Sequence, residues 1–289
     1  MSLKGAHTAI VTPFNIDGSV DFAKYRELIE FQIDNGIDGI VPVGTTGESP
    51  TLNNTEHMKV IEQTVQIVNG RAKVIAGTGA NSTSEAVELT MLAKKLGIDA
   101  TLQVTPYYNK PNQEGLYRHF SAVADLGVPV VLYNVPGRSC CEIAIETVAR
   151  LAQHEMVVAV KEAGGDVARV RQILDACDIE VLSGDDGLAL PMMRDGAIGL
   201  ISVASNVVPG VVASLVHTAL EGQWDAAQLL HDRYIGLFEA MFIDTNPIPV
   251  KAALAMQGKI EEVYRLPLCS MEDALKQDLR EVLSGLELL

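Results

Sequence analysis

The chain is short of positive charge, of cysteine and of long apolar runs, and each shortage excludes a class of protein. Its 22 basic residues are outnumbered by 37 acidic ones, giving a net charge of −15 with no basic run. That balance repels nucleic acid and anionic membrane surfaces alike, so neither is expected as a partner. No apolar stretch approaches the roughly 20 residues a helix needs to cross a bilayer. The four cysteines, Cys140, Cys141, Cys177 and Cys269, show no C-x-x-C pair and no even spacing. A disulfide framework and a zinc site are therefore not expected, and reduced thiols fit a cytoplasmic protein. The opening residues Met1-Ser2-Leu3-Lys4-Gly5 are expected to enter a strand directly, without a signal peptide. His7, His57, His119, His154, His217 and His231 are scattered, with no H-E-x-x-H spacing, so no metal is expected. There is also no P-loop and no serine in a G-x-S-x-G elbow.

What is present is rhythm. Apolar strand-like runs occur at Thr8–Val11, Gly39–Val43, Lys73–Ala76, Ala100–Val104, Val128–Leu132, Met156–Val160, Glu180–Leu182 and Gly199–Val203. Helical spacing fills the gaps, as in Phe22, Tyr25, Leu28, Ile29 and Ile33. Asn54-Thr55-Glu56 signals the start of the second helix, and Ser82-Thr83-Ser84-Glu85 reads as a capping box opening the third. Gly36, Gly70 and Gly97 stand where C-terminal cap glycines belong. Eight strand–helix units predict an α/β protein, a (β/α)8 TIM barrel over residues 1–222. An open doubly wound sheet needs a glycine-rich loop after the first strand, and that position reads Thr12-Pro13-Phe14-Asn15. From Val207 onward only helical periodicity remains. Residues 223–289 are expected to form an all-helical C-terminal extension packed on the barrel, since no Pro/Gly/Ser-rich linker precedes it. Pro249 suits the first turn of a helix to Gln257, and Ser270 with Asp273 is expected to cap the last helix.

One strand stands out. Met156 to Val160 is a continuous apolar run, which is the mark of a strand buried on both faces, and it ends on Lys161. A lysine is rarely buried without a partner. Either its stem lies along the sheet while the ammonium reaches water or Glu162, or it is a desolvated amine that attacks a carbonyl substrate. The other strand ends favour the second reading. They carry Thr12, Gly44-Thr45-Thr46-Gly47-Glu48, Gly77-Thr78-Gly79, Thr105-Pro106-Tyr107-Tyr108, Tyr133-Asn134, Ser183-Gly184-Asp185 and Ile201-Ser202-Val203. Barrel chemistry gathers at that end of the strands. Gly44 and Gly47 serve either to turn the chain or, with the paired threonines, to build a carboxylate-binding nest. Tyr133 is either a core aromatic or a phenol that moves protons for imine formation. Arg138 is either a solvated loop cation or a planar fork for a carboxylate. Asp185 and Asp186, where many barrels hold phosphate, would repel one, so a phosphorylated substrate is not expected.

Several of these stretches are familiar in combination. Gly44-Thr45-Thr46-Gly47-Glu48-Ser49, Thr105-Pro106-Tyr107-Tyr108-Asn109-Lys110-Pro111 and Tyr133-Asn134-Val135-Pro136-Gly137-Arg138 resemble the dihydrodipicolinate synthase family of pyruvate-dependent Schiff-base lyases. So do Val160-Lys161-Glu162, Ser183-Gly184-Asp185-Asp186 and Asn246-Pro247-Ile248-Pro249-Val250-Lys251. The resemblance spans about Ala9 through the Asn246 motif. It implies that Lys161 forms an imine with pyruvate, with no other cofactor, and that the enamine adds to aspartate semialdehyde. This is the branch-point step toward diaminopimelate and lysine. It further implies a proton relay of Thr46, Tyr133 and Tyr108, with Tyr108 reaching in from a neighbouring subunit of a homotetramer. Thr45, Thr46 and the backbone near Ile201 would hold the pyruvate carboxylate, Arg138 the semialdehyde carboxylate, and Gly184 and Asn246 would complete the substrate-binding set. In relatives that respond to L-lysine the matching effector positions are Ser49, Pro50, Asn54, His57, Asn81, Glu85 and Tyr107. Pro50 and Asn54 depart from the commonest bacterial pattern, which has Ala and His there.

Two other readings share the barrel. A sugar-acid lyase would use the same imine lysine, but a polyhydroxy aldehyde calls for hydroxyl partners, not Arg138. A degenerate barrel that only senses a keto acid would have lost Lys161 or Tyr133.

Overall fold

The computed structural model describes residues 2–289. Eight parallel strands close into one barrel in chain order, the eighth pairing with the first. They are β1 (Gly5–Ala9), β2 (Gly39–Val41), β3 (Lys73–Gly77), β4 (Ala100–Val104), β5 (Val130–Asn134), β6 (Val157–Glu162), β7 (Glu180–Ser183) and β8 (Gly199–Ser202). Helices α1 (Phe22–Asp34), α2 (Asn54–Val68), α3 (Thr83–Leu96) and α4 (Gln113–Ala124) follow the first strands. A one-turn α5 (Pro136–Ser139) and α6 (Ile145–Leu151) follow β5, with α7 (Ala168–Ala176), α8 (Ala189–Arg194) and α9 (Pro209–Leu220) completing the outer ring. The chain ends in α10 (Trp224–Ala240), α11 (Ile248–Met256) and α12 (Asp273–Gly285). No helix among the described residues is long and apolar enough to cross a membrane.

Side-chain alternation splits the core in two. Ala9, Val41, Ile75, Leu102, Val131, Tyr133, Ala159, Leu182 and Ile201 fill the barrel, while the neighbouring strand residues pack outward against the helices. Lys161 shares the inward parity of Ala159, and Glu162 points to the helix side, where Arg169 meets it.

Several boundaries move from their sequence positions. β1 starts earlier and stops at Ala9, because the next ladder donor, Val11 N–H, is taken by the Asn206 side chain at 3.1 Å. β5 starts two residues late, since Pro129 has no N–H to give, and it runs on through Tyr133 and Asn134. The capping box lies at Asn53 and Glu56, one residue before the predicted start, where each side chain accepts from the other's backbone. Ser82 makes no capping bond; its hydroxyl meets Ser84, which leaves Glu85 free of that duty. The last helix begins after Glu272 with no side-chain cap from Ser270. Gly36, Gly70 and Gly97 do take left-handed conformations at helix ends. Pro249 sits in the first turn of α11, which starts at Ile248.

Candidate active site

Lys161 lies on the last turn of ladder in β6 and is 5% exposed. Its register partner across β5 is Tyr133, and the Lys161 ammonium nitrogen stands 4.3 Å from the centre of that ring. The expected alternative, pairing with Glu162, is not what the fold makes. Glu162 is fully buried on the other face, accepting from Asn134 Nδ2 at 2.9 and 3.0 Å, Gly164 N at 2.7 Å and Arg169 Nε at 3.0 Å. Among the described residues Lys161 Nζ has no hydrogen-bond or ion-pair partner. A buried amine left without one is available to a substrate. Gly184 explains how the lysine fits: a Cβ there would sit 2.8 Å from Lys161 Cε and 2.7 Å from the Ala163 Cβ. Glycine at this strand end leaves room for the stem.

The turn after β2 faces this lysine across the barrel mouth. Val43 and Glu48 at its two ends hold φ of 49° and 54°, conformations that side chains rarely adopt and that surroundings must enforce. The surroundings are tight: a Cβ on Gly77 would meet the Val43 carbonyl oxygen at 2.5 Å. Within the turn Gly47 N–H donates to Gly44 at 3.1 Å and Glu48 N–H to Thr45 at 3.1 Å. Thr46 is buried and its hydroxyl accepts from Asn246 Nδ2 at 3.1 Å, while Thr45 lines the cavity described next.

That cavity, about 390 Å³, is lined by Thr45, Tyr133, Val135 and Arg138 and also by Asn54, His57, Glu85 and Tyr107. Ser49 and Pro50 line it too. Lys161 does not line it, but packs on the ring of Tyr133, which does. Arg138 is exposed and makes one hydrogen bond, from Nη2 to the Asn246 carbonyl at 3.2 Å. The rest of its fork is free for an anion. His57 donates from Nε2 to the Gly77 carbonyl at 2.8 Å, so Nδ1 is left to accept. Burial pulls the pKa of His57 down, outweighing that bond, and keeps the ring neutral. Burial, and then the charge of Glu85, push the Tyr107 hydroxyl up.

Not every expected residue joins the set. Tyr108 is 90% exposed with φ of 73° and lines no part of the cavity. Asn81 also stands outside it, bonded to the Tyr107 carbonyl at 3.3 Å. Ile201 is buried within the barrel, the last residue but one of β8, beside His7 of β1. Asp186, one of the two carboxylates after β7, is buried and ties that turn to β8, accepting from Val203 N at 2.9 Å and Ala204 N at 3.2 Å and from the Ser202 hydroxyl at 2.5 Å. Burial raises its pKa against those donors. Among the described residues no three His, Cys, Asp or Glu side chains gather as a metal site.

One feature escaped the sequence reading. Lys251 and Glu48 form an ion pair with both side chains fully buried. The signal was present: Lys251 is the lone charge in Ile248-Pro249-Val250-Lys251-Ala252-Ala253-Leu254, a helix otherwise apolar all round.

Known proteins align with this arrangement from end to end. A curated relative from Pelobacter propionicus, named 4-hydroxy-tetrahydrodipicolinate synthase, is 52% identical over 289 residues, 99% of each chain. The crystal structure of the chloride inhibited dihydrodipicolinate synthase from Acinetobacter baumannii complexed with pyruvate superposes with a TM-score of 0.98 at 43% identity, covering 100% of both chains. That of the enzyme from Cyanidioschyzon merolae with lysine bound superposes at 0.96 and 40% identity, covering 99% of each. The sequence pattern of the Dihydrodipicolinate synthetase family matches residues 2–286, and this chain belongs to that family.

Proposed function

We infer that this chain condenses pyruvate with L-aspartate 4-semialdehyde to give 4-hydroxy-tetrahydrodipicolinate, a step of lysine and diaminopimelate biosynthesis. The observation that carries the reading is the unpartnered Lys161 amine packed on Tyr133 at the C-terminal end of the barrel. The amine adds to the pyruvate keto carbon, and loss of water gives the imine. Loss of a methyl proton gives the enamine, whose carbon attacks the aldehyde. The amino group of the second substrate then displaces Lys161 and closes the ring, returning the free amine. No external cofactor is required, because the imine itself serves as the electron sink.

In this reading Tyr133, Thr46 and Tyr108 move the protons. Thr45, Thr46, Gly184 and the backbone at Ile201 take the pyruvate end, and Arg138 with Asn246 the semialdehyde. The exposure of Tyr108 supports its use by a second subunit, in a homotetramer built of two such pairs. Four free cysteines fit a reducing cytoplasm. L-Lysine is proposed as an effector held at this cavity and its rim, with Ser49, Pro50, Asn54, His57, Asn81, Glu85 and Tyr107 around it. The relative from Cyanidioschyzon merolae, with lysine bound, supports that choice. The carboxylate fork of Arg138 favours the semialdehyde over sugar aldehydes.

Borohydride reduction in the presence of pyruvate tests the chemistry. An adduct of the reduced pyruvate on the peptide carrying Lys161 is expected, and turnover with aspartate semialdehyde is expected to exceed that with sugar aldehydes. An adduct on Lys110 or Lys251, or none, removes Lys161 from its role. Chelators are expected to leave the rate unchanged.

A further inference from the structure

We propose that the buried Glu48–Lys251 ion pair is a positioning device for pyruvate, holding the turn that carries Thr45 and Thr46 in register with Lys161. The inference rests on the function proposed above.

Three observations lead to it. The turn is strained at both ends, with Val43 and Glu48 at positive φ, so it does not hold its shape by local preference. Its supports come largely from the chain beyond the barrel. Asn246 reaches the Thr46 hydroxyl at 3.1 Å, Lys251 reaches the Glu48 carboxylate, and Arg265 N–H donates to Glu48 Oε2 at 3.3 Å. Lys251 also donates to the Thr12 carbonyl at 3.1 Å, while the Thr12 hydroxyl donates to the Gly47 carbonyl at 2.7 Å. One ammonium thus ties the end of the turn to the segment after β1. Finally, the pair is sealed. The Phe14 ring centre is 4.3 Å from Lys251 Nζ and 4.5 Å from the Arg265 guanidinium carbon. Arg265 in turn donates to Gly18 and Thr51 carbonyls and bridges to Glu56.

A fully buried ion pair is a poor device for stability, because desolvating two charges cancels much of their attraction. Burial pulls the Lys251 pKa down and Glu48 opposes the shift, so the lysine charge depends on the carboxylate beside it. What the pair supplies in this place is direction. Glu48 follows Thr45 and Thr46 by two or three residues, and fixing its carboxylate fixes where their N–H groups and hydroxyls point. A small misplacement of such groups is enough to weaken binding severely. Lys251 and Glu48 touch no substrate in this scheme; they act through the turn.

Removing both charges together separates positioning from folding. The variant Glu48→Gln/Lys251→Met leaves no unpaired buried charge, so its unfolding temperature should stay within a few degrees of wild type. Its pyruvate concentration for half-maximal borohydride trapping on Lys161 should nonetheless rise about tenfold or more, with the KM for aspartate semialdehyde within about twofold. Lys251→Met alone should lose both stability and pyruvate affinity. A pair that only stabilised the fold would recover both in the double variant, and wild-type half-saturation there overturns the proposal. Should the double variant fail to fold, Glu48→Asp carries the test: it keeps both charges and shortens the tether by one methylene, and a rise of about two- to fivefold is expected. No rise overturns the proposal. Wild-type protein that traps no pyruvate on Lys161 overturns the function itself, a result distinct from trapping that the variants leave unchanged.

Discussion

Lys161 and Tyr133 are register partners on adjacent strands, and the lysine nitrogen lies over the tyrosine ring at 4.3 Å from its centre. Parallel pairing places both side chains on the inner face at the same height. The amine therefore lies against an aromatic face and next to a phenol, with Glu162 turned away to Arg169. A carbonyl substrate entering the mouth meets an amine with no competing carboxylate.

Arg138→Ala is expected to weaken use of aspartate semialdehyde while leaving the pyruvate adduct on Lys161 largely intact. Losing one charge-assisted contact should cost about 2 kcal/mol in kcat/KM for the aldehyde. An unchanged kcat/KM takes Arg138 out of the site. Its free fork, held only through the Asn246 carbonyl, is the basis of the prediction.

Tyr108 tests the assembly. Mixing inactive Lys161→Ala subunits with inactive Tyr108→Phe subunits should restore part of the activity, because a hybrid pair contains one intact site. If subunits exchange and no activity returns, Tyr108 does not serve a partner.

Lysine added at fixed pyruvate should lower the initial rate, and Glu85→Ala should blunt the effect. Glu85 has no capping bond to make and lines the cavity, so its carboxylate is open to an ammonium. Coupling between effector and active site of about 1–3 kcal/mol is typical, and Glu85, Tyr107 and Tyr133 line one cavity. Flat rates up to about tens of millimolar lysine, the weak end of effector binding, reject the regulatory reading without touching the catalytic one.

His119 gives stability a pH dependence. Burial pulls its pKa down to about 4, well below the ordinary 6.5, with Nδ1 bonded to the Thr83 hydroxyl at 3.0 Å. Between those values the unfolded chain binds the proton that the fold excludes, so stability is complete above 6.5 and declines as pH falls toward 4. The loss should approach about 3 kcal/mol. Unfolding temperatures measured from pH 7 to 4.5 should fall more steeply for wild type than for His119→Gln. Parallel curves rule His119 out as the cause.

Much of the fold was legible in the chain because periodicity is local. Strand-like runs alternating with helical spacing require a parallel sheet, and eight of them close it. Lys161 was legible too, as a charge ending an apolar run, since burial of such a residue always needs a reason. Strand ends were less so. Tyr133 and Asn134 belong to β5 itself, because Pro129 delays the start and ladder bonds with β4 and β6 carry it on.

The sequence by itself determined that Lys161 and Tyr133 end neighbouring strands at the barrel mouth, since the strand period and the βα order leave them no other place. Only the tertiary structure decided how they are held. Gly184 makes room for a lysine stem from a neighbouring strand, and Glu48 finds Lys251 some two hundred residues away. The capping box at Asn53 in place of Ser82, and the exposure of Tyr108, were likewise not written in local pattern. Contacts between residues distant in the chain depend on packing geometry, which no local spacing encodes.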